Sequence, residues 1–416
     1  MTLSYNHSTT RRKSLWEYFV LKALRTMKKG GLSLQYDEGP SSYFGEPGAP
    51  ITAQITIHNA SKFFKYCALY GDIGLGKAYT EGLWDTDDIK ALITWFIENL
   101  NNFQGSNTKA TNIPSVNFLT ILQWIRHLKR CNSVSMSRRN ISQHYDLGND
   151  FYALWLDPTM TYSSAKFQHA HQSLQEAQEA KYRAFCEKLH LQSTDHVLEI
   201  GCGWGGFALY AAQHYGCHLT GVTISQAQAS WAQERVAALG LEDQITILLQ
   251  DYRHLTGRYN KIVSIEMLEA VGHHYHHAFF SKCHEVLHSD GLLGVQMITV
   301  ADYRYSSLRR SVDWIQHHIF PGSLLLSVGR INQVLLETSN LFLHDLEDLG
   351  RDYARTLAMW HKNFNAHLPE VRALGFDESF IRSWNYYLQY CEAAFATHNI
   401  SVVQAIYTRP NNRTLC

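Results

Sequence analysis

The chain has 416 residues, enough for two domains at ~100 to 200 residues each, so a small disulfide-stapled scaffold is excluded. Its eight cysteines are scattered, with no CxxC pair and no zinc-spaced cluster with histidine, so a reducing cytoplasm and no structural metal are expected. Thirty-seven basic residues balance thirty-seven acidic ones, which argues against nucleic acid as a partner, and no run approaches the ~18 to 20 apolar residues of a membrane-spanning helix.

Residues 1 to 30 carry seven Lys and Arg residues, but Glu17 and Lys22 interrupt the apolar stretch and no small-residue cleavage site follows, unlike a signal peptide. Ser14 and Glu17 are spaced as a capping box, and Leu15, Phe19, Ala23 and Met27 recur at helical spacing before Gly30 and Gly31. Two readings of this basic amphipathic helix stand: a membrane-surface contact, or a helix packed on its own domain.

Residues 31 to about 105 mix strand-like runs (51–57) with helical ones (89–98), and Gly71, Gly74, Gly76 and Gly82 read as turn positions. The polar stretch Gly105 to Pro114 reads as a linker, dividing the chain into a smaller mixed α/β domain (1–112) and a larger one (113–416). From about residue 180, strands are expected at 196–200, 219–223, 245–249, 261–265, 292–298 and 402–407, with helices at 206–214, 226–238 and 277–286. That alternation implies right-handed crossovers and an open, mostly parallel sheet whose ligands sit beyond the carboxyl ends of its strands. The run His273 to His277 reads as a helix start rather than a metal tract, because no Cys or carboxylate completes a ligand set.

The segment Val197-Leu-Glu-Ile-Gly-Cys-Gly-Trp-Gly-Gly206 is a strand running into a glycine turn that opens a helix. Glycines let a ligand approach backbone amides that side chains would block. The pattern alone fits a dinucleotide enzyme as well as a methyltransferase. Glu199 before the glycines, a second strand ending Gly221-Val-Thr-Ile-Ser225 without an acid for a nicotinamide ribose, and Asp251 after the third strand favour S-adenosylmethionine.

Further segments carry a resemblance: Gln143-His-Tyr-Asp-Leu-Gly-Asn-Asp150, Met160-Thr-Tyr-Ser-Ser-Ala165, Gly221 to Gln228, Gln250 to Arg253, Glu266-Met-Leu-Glu-Ala-Val-Gly272, Ile319 to Gly322, Asp352-Tyr353 and Tyr386 to Cys391. With the glycine turn they resemble the cyclopropane fatty acid synthase and mycolic acid methyltransferase family over nearly the whole chain. Gly71 to Trp84 looks like part of the helper domain that precedes the catalytic one in bacterial members.

The resemblance implies a Rossmann-like S-adenosylmethionine methyltransferase fold with a seven-stranded sheet. It implies attack of an acyl-chain olefin on the sulfonium methyl, then loss of a proton to a bound bicarbonate, closing a cyclopropane. The expected substrate is an unsaturated phospholipid, met peripherally at the inner face of the membrane, and a homodimer is implied. Carried over by position, Tyr162 and Ser163 contact the cofactor from a lid, and Glu199, Gly201, Gly203 and Gly205 form its loop. Thr223, Ser225 and Gln228 serve the ribose and methionine, and Asp251 and Tyr252 the adenine. Glu269, Tyr353 and the Ile298 backbone belong to the bicarbonate site, and Cys391 matches a cysteine proposed as active.

Glu269 has a structural alternative as a helix-start carboxylate, Cys391 one as a packed thiol on a face with Trp384, Tyr387, Leu388 and Phe395, and Met297, Trp314 and Phe320 are either tunnel lining or ordinary core. Three departures bear on the product. Ser164 stands for a usual cysteine, Gln296 for a histidine and Ala270 for another. Serine and glutamine still donate hydrogen bonds, but glutamine cannot titrate, which leaves a methyl- or methylene-branched product open. A lipid-binding protein without catalysis is the reading from another class.

Overall fold

A computed structural model of the chain describes residues 14–37, 39–104 and 147–415. It divides into two compact units, residues 1–119 and 120–416. The expected linker and the 112/113 boundary lie outside the described residues, as do Gln143 to Asp146.

In the first unit, α1 (Leu15–Leu24) starts as its sequence dictates, the Glu17 amide donating to Ser14 Oγ at 3.1 Å. The buried face differs from the expected one. Leu21, Leu24, Met27 and Glu17 are buried, whereas Leu15 and Phe19 are exposed together with Tyr18. Glu17 sets this rotation by accepting the Tyr36 hydroxyl at 2.8 Å, a polar anchor that helical periodicity does not reveal. Strands β1 (Gly31–Tyr36), β2 (Ser42–Gly45), β3 (Ile51–Ile57) and β4 (Trp84–Asp85) form a sheet in the order β2-β1-β3-β4, with β1 and β3 parallel. Helices α2 (Ala60–Thr80) and α3 (Ile89–Gln104) complete this mixed α/β unit. Gly74 and Gly76 are helical rather than turn positions. Only Gly71, at φ 58°, breaks α2, and a Cβ on Gly74 would lie 2.0 Å from the Tyr66 carbonyl, so glycine there permits close backbone approach.

The second unit begins with α4 (Asn149–Ala153) and α5 (Leu174–Lys188) and then alternates. Strand β5 (His196–Ile200), α6 (Gly206–Tyr215), β6 (His218–Thr223), α7 (Gln226–Ala238), β7 (Ile245–Leu249) and β8 (Tyr259–Ile265) follow in order. After them come α8 (His276–Val286), β9 (Leu287–Thr299), the short helices α9 (Asp302–Leu308) and α10 (Trp314–His318), and α11 (Val328–Thr338). The chain closes with β10 (Phe342–Asp348), α12 (Gly350–Ala366), α13 (Leu368–Ala373), α14 (Glu378–Ala396) and β11 (Ser401–Thr408). The sheet runs β10-β11-β9-β8-β5-β6-β7. Five strands are parallel, and β11 and β10 add antiparallel to the β9 edge.

Both sheet faces are covered. Leu198, Ile262, Val295 and Met297 pack against one layer of helices, and Val197, Leu219 and Val263 against another with Phe185 and Phe207. The unbroken burial of Lys261 to Ser264 in β8 follows from that two-sided cover. Met297 and Trp314 are fully buried. The run His273 to His277 is dispersed. His273 Nδ1 lies 2.7 Å from the Tyr305 hydroxyl, His277 Nε2 lies 2.6 Å from a Glu337 carboxylate oxygen, and His276 is buried, its pKa lowered to about 3 chiefly by burial.

Candidate active site

The carboxyl ends of the parallel strands gather nearly all the singled-out residues. The glycine turn after β5 is left-handed at Gly201, Gly203 and Gly205 (φ 85°, 52° and 84°). Gly205 is the N-cap of α6, so the turn presents that helix's first amides and positive dipole end. A Cβ on Gly203 would meet nothing within 4 Å, whereas one on Gly201 would strike Met267 Cγ at 2.6 Å, so the turn is pressed against the loop after β8. Glu199 is buried, and its Oε2 has no hydrogen-bond partner. Burial pushes its pKa well above the usual carboxylate range. An open glycine turn beside an unsatisfied buried acceptor fits a cofactor.

The other expected cofactor residues lie around this turn. Thr223 Oγ1 donates to Gln228 Oε1 at 2.9 Å and accepts the Ser225 amide at 3.2 Å, and Ser225 Oγ caps α7 by accepting the Gln228 amide. These three therefore fix one another at the end of β6. Burial opposes ionisation of Asp251, but its pairing with Arg253, through Nε at 2.8 Å and Nη2 at 2.7 Å, outweighs it and lowers the pKa. Tyr252 is buried with its hydroxyl unpartnered. On the lid, Ser163 Oγ accepts from Lys181 Nζ at 2.7 Å and the Tyr162 and Tyr387 hydroxyls are 2.8 Å apart. Lys181 is fully buried on α5, and burial lowers its pKa to about 7 against the opposing charges of Glu266, Asp157 and Glu199.

The centre of the expected anion site is a residue to which no role had been assigned. Glu266 Oε1 accepts the Ser164 amide at 2.8 Å and Gln296 Nε2 at 2.7 Å, and its Oε2 accepts the Tyr353 hydroxyl at 2.7 Å. Two side chains expected at the anion site, Gln296 and Tyr353, thus converge with the Ser164 backbone amide on the chain's own carboxylate. Glu266 adopts φ 49°, uncommon for a residue with a Cβ, at the turn leaving β8. Ser164 Oγ points elsewhere, donating to the Ala165 carbonyl at 2.9 Å. Glu269 Oε1 accepts the Ile298 amide at 2.5 Å, and its Oε2 is buried without a partner. Burial first, and then the charge of Glu266, raises the Glu269 pKa to about 8.

Tyr353, expected as a side chain of the bicarbonate site, reaches Glu266. It also ties the carboxylates to an aromatic cluster. Its ring lies 4.4 Å from Phe395 and 6.0 Å from Trp360, and Trp360 lies 5.3 Å from Tyr162, which neighbours Trp155 and Phe320. Cys391 is a free cysteine on α14 whose thiol pKa is raised, chiefly by burial, away from the reactive thiolate.

The sequence model of the mycolic acid cyclopropane synthetase family matches residues 132–405. The chain belongs to that family. This cyclopropane synthetase-family protein is 33% identical over 394 residues to the tuberculostearic acid methyltransferase of Mycobacterium tuberculosis, covering 91% of this chain and 88% of that one. It is 35% identical over 360 residues to the cyclopropane-fatty-acyl-phospholipid synthase of Escherichia coli, covering 86% and 88%. Among solved structures, the cyclopropane synthase MmaA2 from Mycobacterium tuberculosis superposes with a TM-score of 0.61 at 31% identity, over 65% of this chain and 98% of that one. The mycolic acid cyclopropane synthase CmaA1, complexed with SAH and CTAB, superposes with the same score, identity and coverage. The family member described here is accordingly an S-adenosylmethionine-dependent methyltransferase with the Rossmann-like fold of that class.

Proposed function

We propose that the enzyme transfers a methylene group to a cis double bond in an acyl chain of an unsaturated membrane phospholipid, forming a cyclopropane ring. The observation that carries this reading is the buried pair Glu266 and Glu269 at the carboxyl ends of β8 and β9, pressed against the glycine turn through Met267. The similarity to the Escherichia coli synthase supports it.

When bound, S-adenosylmethionine supplies an electrophilic methyl group. An isolated olefin is a weak nucleophile, so the chain's part is to hold, to exclude water and to accept a proton. Tyr162, Phe320, Trp360 and Tyr387 close ranks beside the carboxylates, and aromatic faces favour positive charge in an acyl chain between them. Glu266, with three donors, is the member of the pair suited to stay ionised, and Glu269, with one donor and one orphaned oxygen, the member suited to stay neutral. Bicarbonate, the base expected from the resemblance, fits poorly, because Gln296 and Tyr353 already serve Glu266, the Ile298 amide serves Glu269 and the Ser164 hydroxyl is turned to the Ala165 carbonyl.

The departures at Ser164, Gln296 and Ala270, and the similarity to tuberculostearic acid methyltransferase, favour a second product: a methylene branch, formed when a hydride shifts from the methyl-bearing carbon to the cationic carbon and the proton then leaves the former methyl group. Membrane contact belongs to the same proposal. The exposed Leu15, Tyr18 and Phe19 of α1 stand among the exposed Lys22, Arg25, Lys28 and Lys29, the composition of an interfacial helix.

The test is mass spectrometry of lipids from cells expressing the enzyme and fed methionine labelled in its methyl group. Unsaturated phospholipid chains are expected to gain one labelled carbon, and proton NMR then separates cyclopropyl from olefinic methylene signals. No labelled carbon in those chains removes the proposal.

A further inference from the structure

We infer that the anion in the cradle is the chain's own Glu266 carboxylate, which acts as proton acceptor without exogenous bicarbonate. The inference rests on the proposed methylene transfer and concerns which group is the base.

Each donor has its orientation fixed from behind. Gln296 and Gln404 are paired directly across β9 and β11, both fully buried, and Gln404 Nε2 donates to Gln296 Oε1 at 3.1 Å. The Gln296 amide therefore presents its NH₂ to Glu266 and its oxygen away from it. The Ser164 amide is held by its backbone, the next amide donating to Thr356 Oγ1 at 3.1 Å. Tyr353 starts from the first turn of α12 and packs against Phe395. All three donors end on Glu266, and the Ser164 hydroxyl, the remaining candidate donor, is turned to the Ala165 carbonyl.

A second anion here would lie against an ionised Glu266 whose three donors are already engaged, and like charges in an enclosed site repel. Left-handed backbone at a glutamate is strained and persists where surrounding contacts hold it. Here the contacts are the donors themselves. Lys181 adds a buried ammonium whose field both Glu266 and Glu199 feel.

The step balances without another reactant. The olefin electron pair forms a bond to the methyl carbon as the carbon–sulfur bond breaks, its pair leaving with S-adenosylhomocysteine. The positive charge passes to the adjacent chain carbon. Glu266 takes one proton from the former methyl group, and the carbon–hydrogen pair closes the ring. For the methylene-branched product a hydride first shifts from the methyl-bearing carbon to the cationic carbon, Glu266 then takes a proton from the former methyl group, and that carbon–hydrogen pair becomes the new double bond.

The test uses the full-length enzyme, unsaturated phosphatidylglycerol vesicles and carbonate-free buffer, with Glu266→Gly as the variant, since glycine adopts φ 49° without strain. Wild-type turnover should stay within twofold when bicarbonate is removed or restored. E266G should melt cooperatively and bind S-adenosylmethionine, lose about a hundredfold or more in turnover, and regain activity with added bicarbonate or formate. Titration of carbon-13-labelled bicarbonate, read by NMR line broadening, should show binding to E266G and none to the wild type. Loss of wild-type activity on bicarbonate removal, broadening by the wild type, or no rescue of a folded, cofactor-binding E266G would each overturn the inference. The NMR arm needs no turnover, so failure of the phospholipid reaction itself leaves it readable.

Discussion

Gln404 donates to Gln296 across directly paired positions of β9 and β11, and this hydrogen bond, with the one from Gln296 Nε2 to the Ser164 carbonyl, turns the NH₂ end of the Gln296 amide toward Glu266. Neither residue carries charge, and Gln404 touches neither carboxylate. Its Oε1 is buried without a partner, so the pair is maintained at some cost to the fold. A cost of that kind is expected where orientation matters more than stability.

Gln404→Leu should therefore act on rate rather than on folding. Freed from its partner, the Gln296 amide can turn its oxygen toward Glu266, and kcat is expected to fall about tenfold, as for a hydrogen bond to a charged group worth about 1.5 kcal/mol. Cofactor affinity should not move. Steady-state kinetics with calorimetric binding of S-adenosylmethionine separate the two, and an unchanged kcat removes Gln404 from the positioning chain.

Tyr353→Phe deletes the 2.7 Å hydrogen bond to Glu266 Oε2 while keeping the ring against Phe395 and Trp360. The expected loss is about ten- to hundredfold in turnover with little change in melting temperature, from the same range for a bond to a charged acceptor. A variant with wild-type kcat would separate Tyr353 from the carboxylate it touches.

The framework of this site was legible in advance, and its centre was not. Apolar runs and glycine punctuation located β5 to β9 and β11 within a few residues, because strands buried on both faces leave an unmistakable pattern. Strand β10, Phe-Leu-His-Asp-Leu-Glu-Asp, went unread since it lies at the sheet edge with alternately exposed residues and three acids. Ser164, Gln296 and Tyr353 are brought together on Glu266, and Ile298 on Glu269. Glu266 escaped because a strand-end glutamate beside another looks like repetition, and its three partners lie 30, 87 and 102 positions away. Gln404 and Lys181 were hidden for the same reason: only strand register and helix packing give them their neighbours.

Glu269→Gln should change the pH dependence of stability. Its pKa is about 8 in the folded enzyme against an ordinary 4.5, so the unfolded chain loses this proton first as pH rises. The neutral group's contribution is full below about pH 4.5 and is lost as pH climbs to about 8. Glutamine keeps an acceptor for the Ile298 amide and has no proton to lose. Melting curves should place the variant level with the wild type near pH 4.5 and several degrees above it near pH 9; parallel curves would contradict a shifted Glu269.

Gly203→Ala tests the cofactor turn. At φ 52° alanine is strained by about 1 kcal/mol, and its Cβ points into open space rather than into protein. Binding of S-adenosylmethionine should weaken at least tenfold with a modest loss of stability. Equal affinity would place the cofactor elsewhere.

Phe19→Asp probes the exposed face of α1, where Phe19 is 39% and Tyr18 53% exposed. Sedimentation with anionic vesicles should show weaker association, while cofactor binding stays the same. Unchanged sedimentation would assign membrane contact to another surface.

The most direct measurement is a single reaction with purified enzyme, S-adenosylmethionine carrying a labelled methyl group and vesicles of cis-unsaturated phospholipid, in buffer stripped of carbonate. The account predicts S-adenosylhomocysteine and modified acyl chains in equal amounts, each chain gaining one labelled carbon with loss of its original double bond. Unmodified chains after complete cofactor turnover, or no turnover until bicarbonate is added, would contradict it.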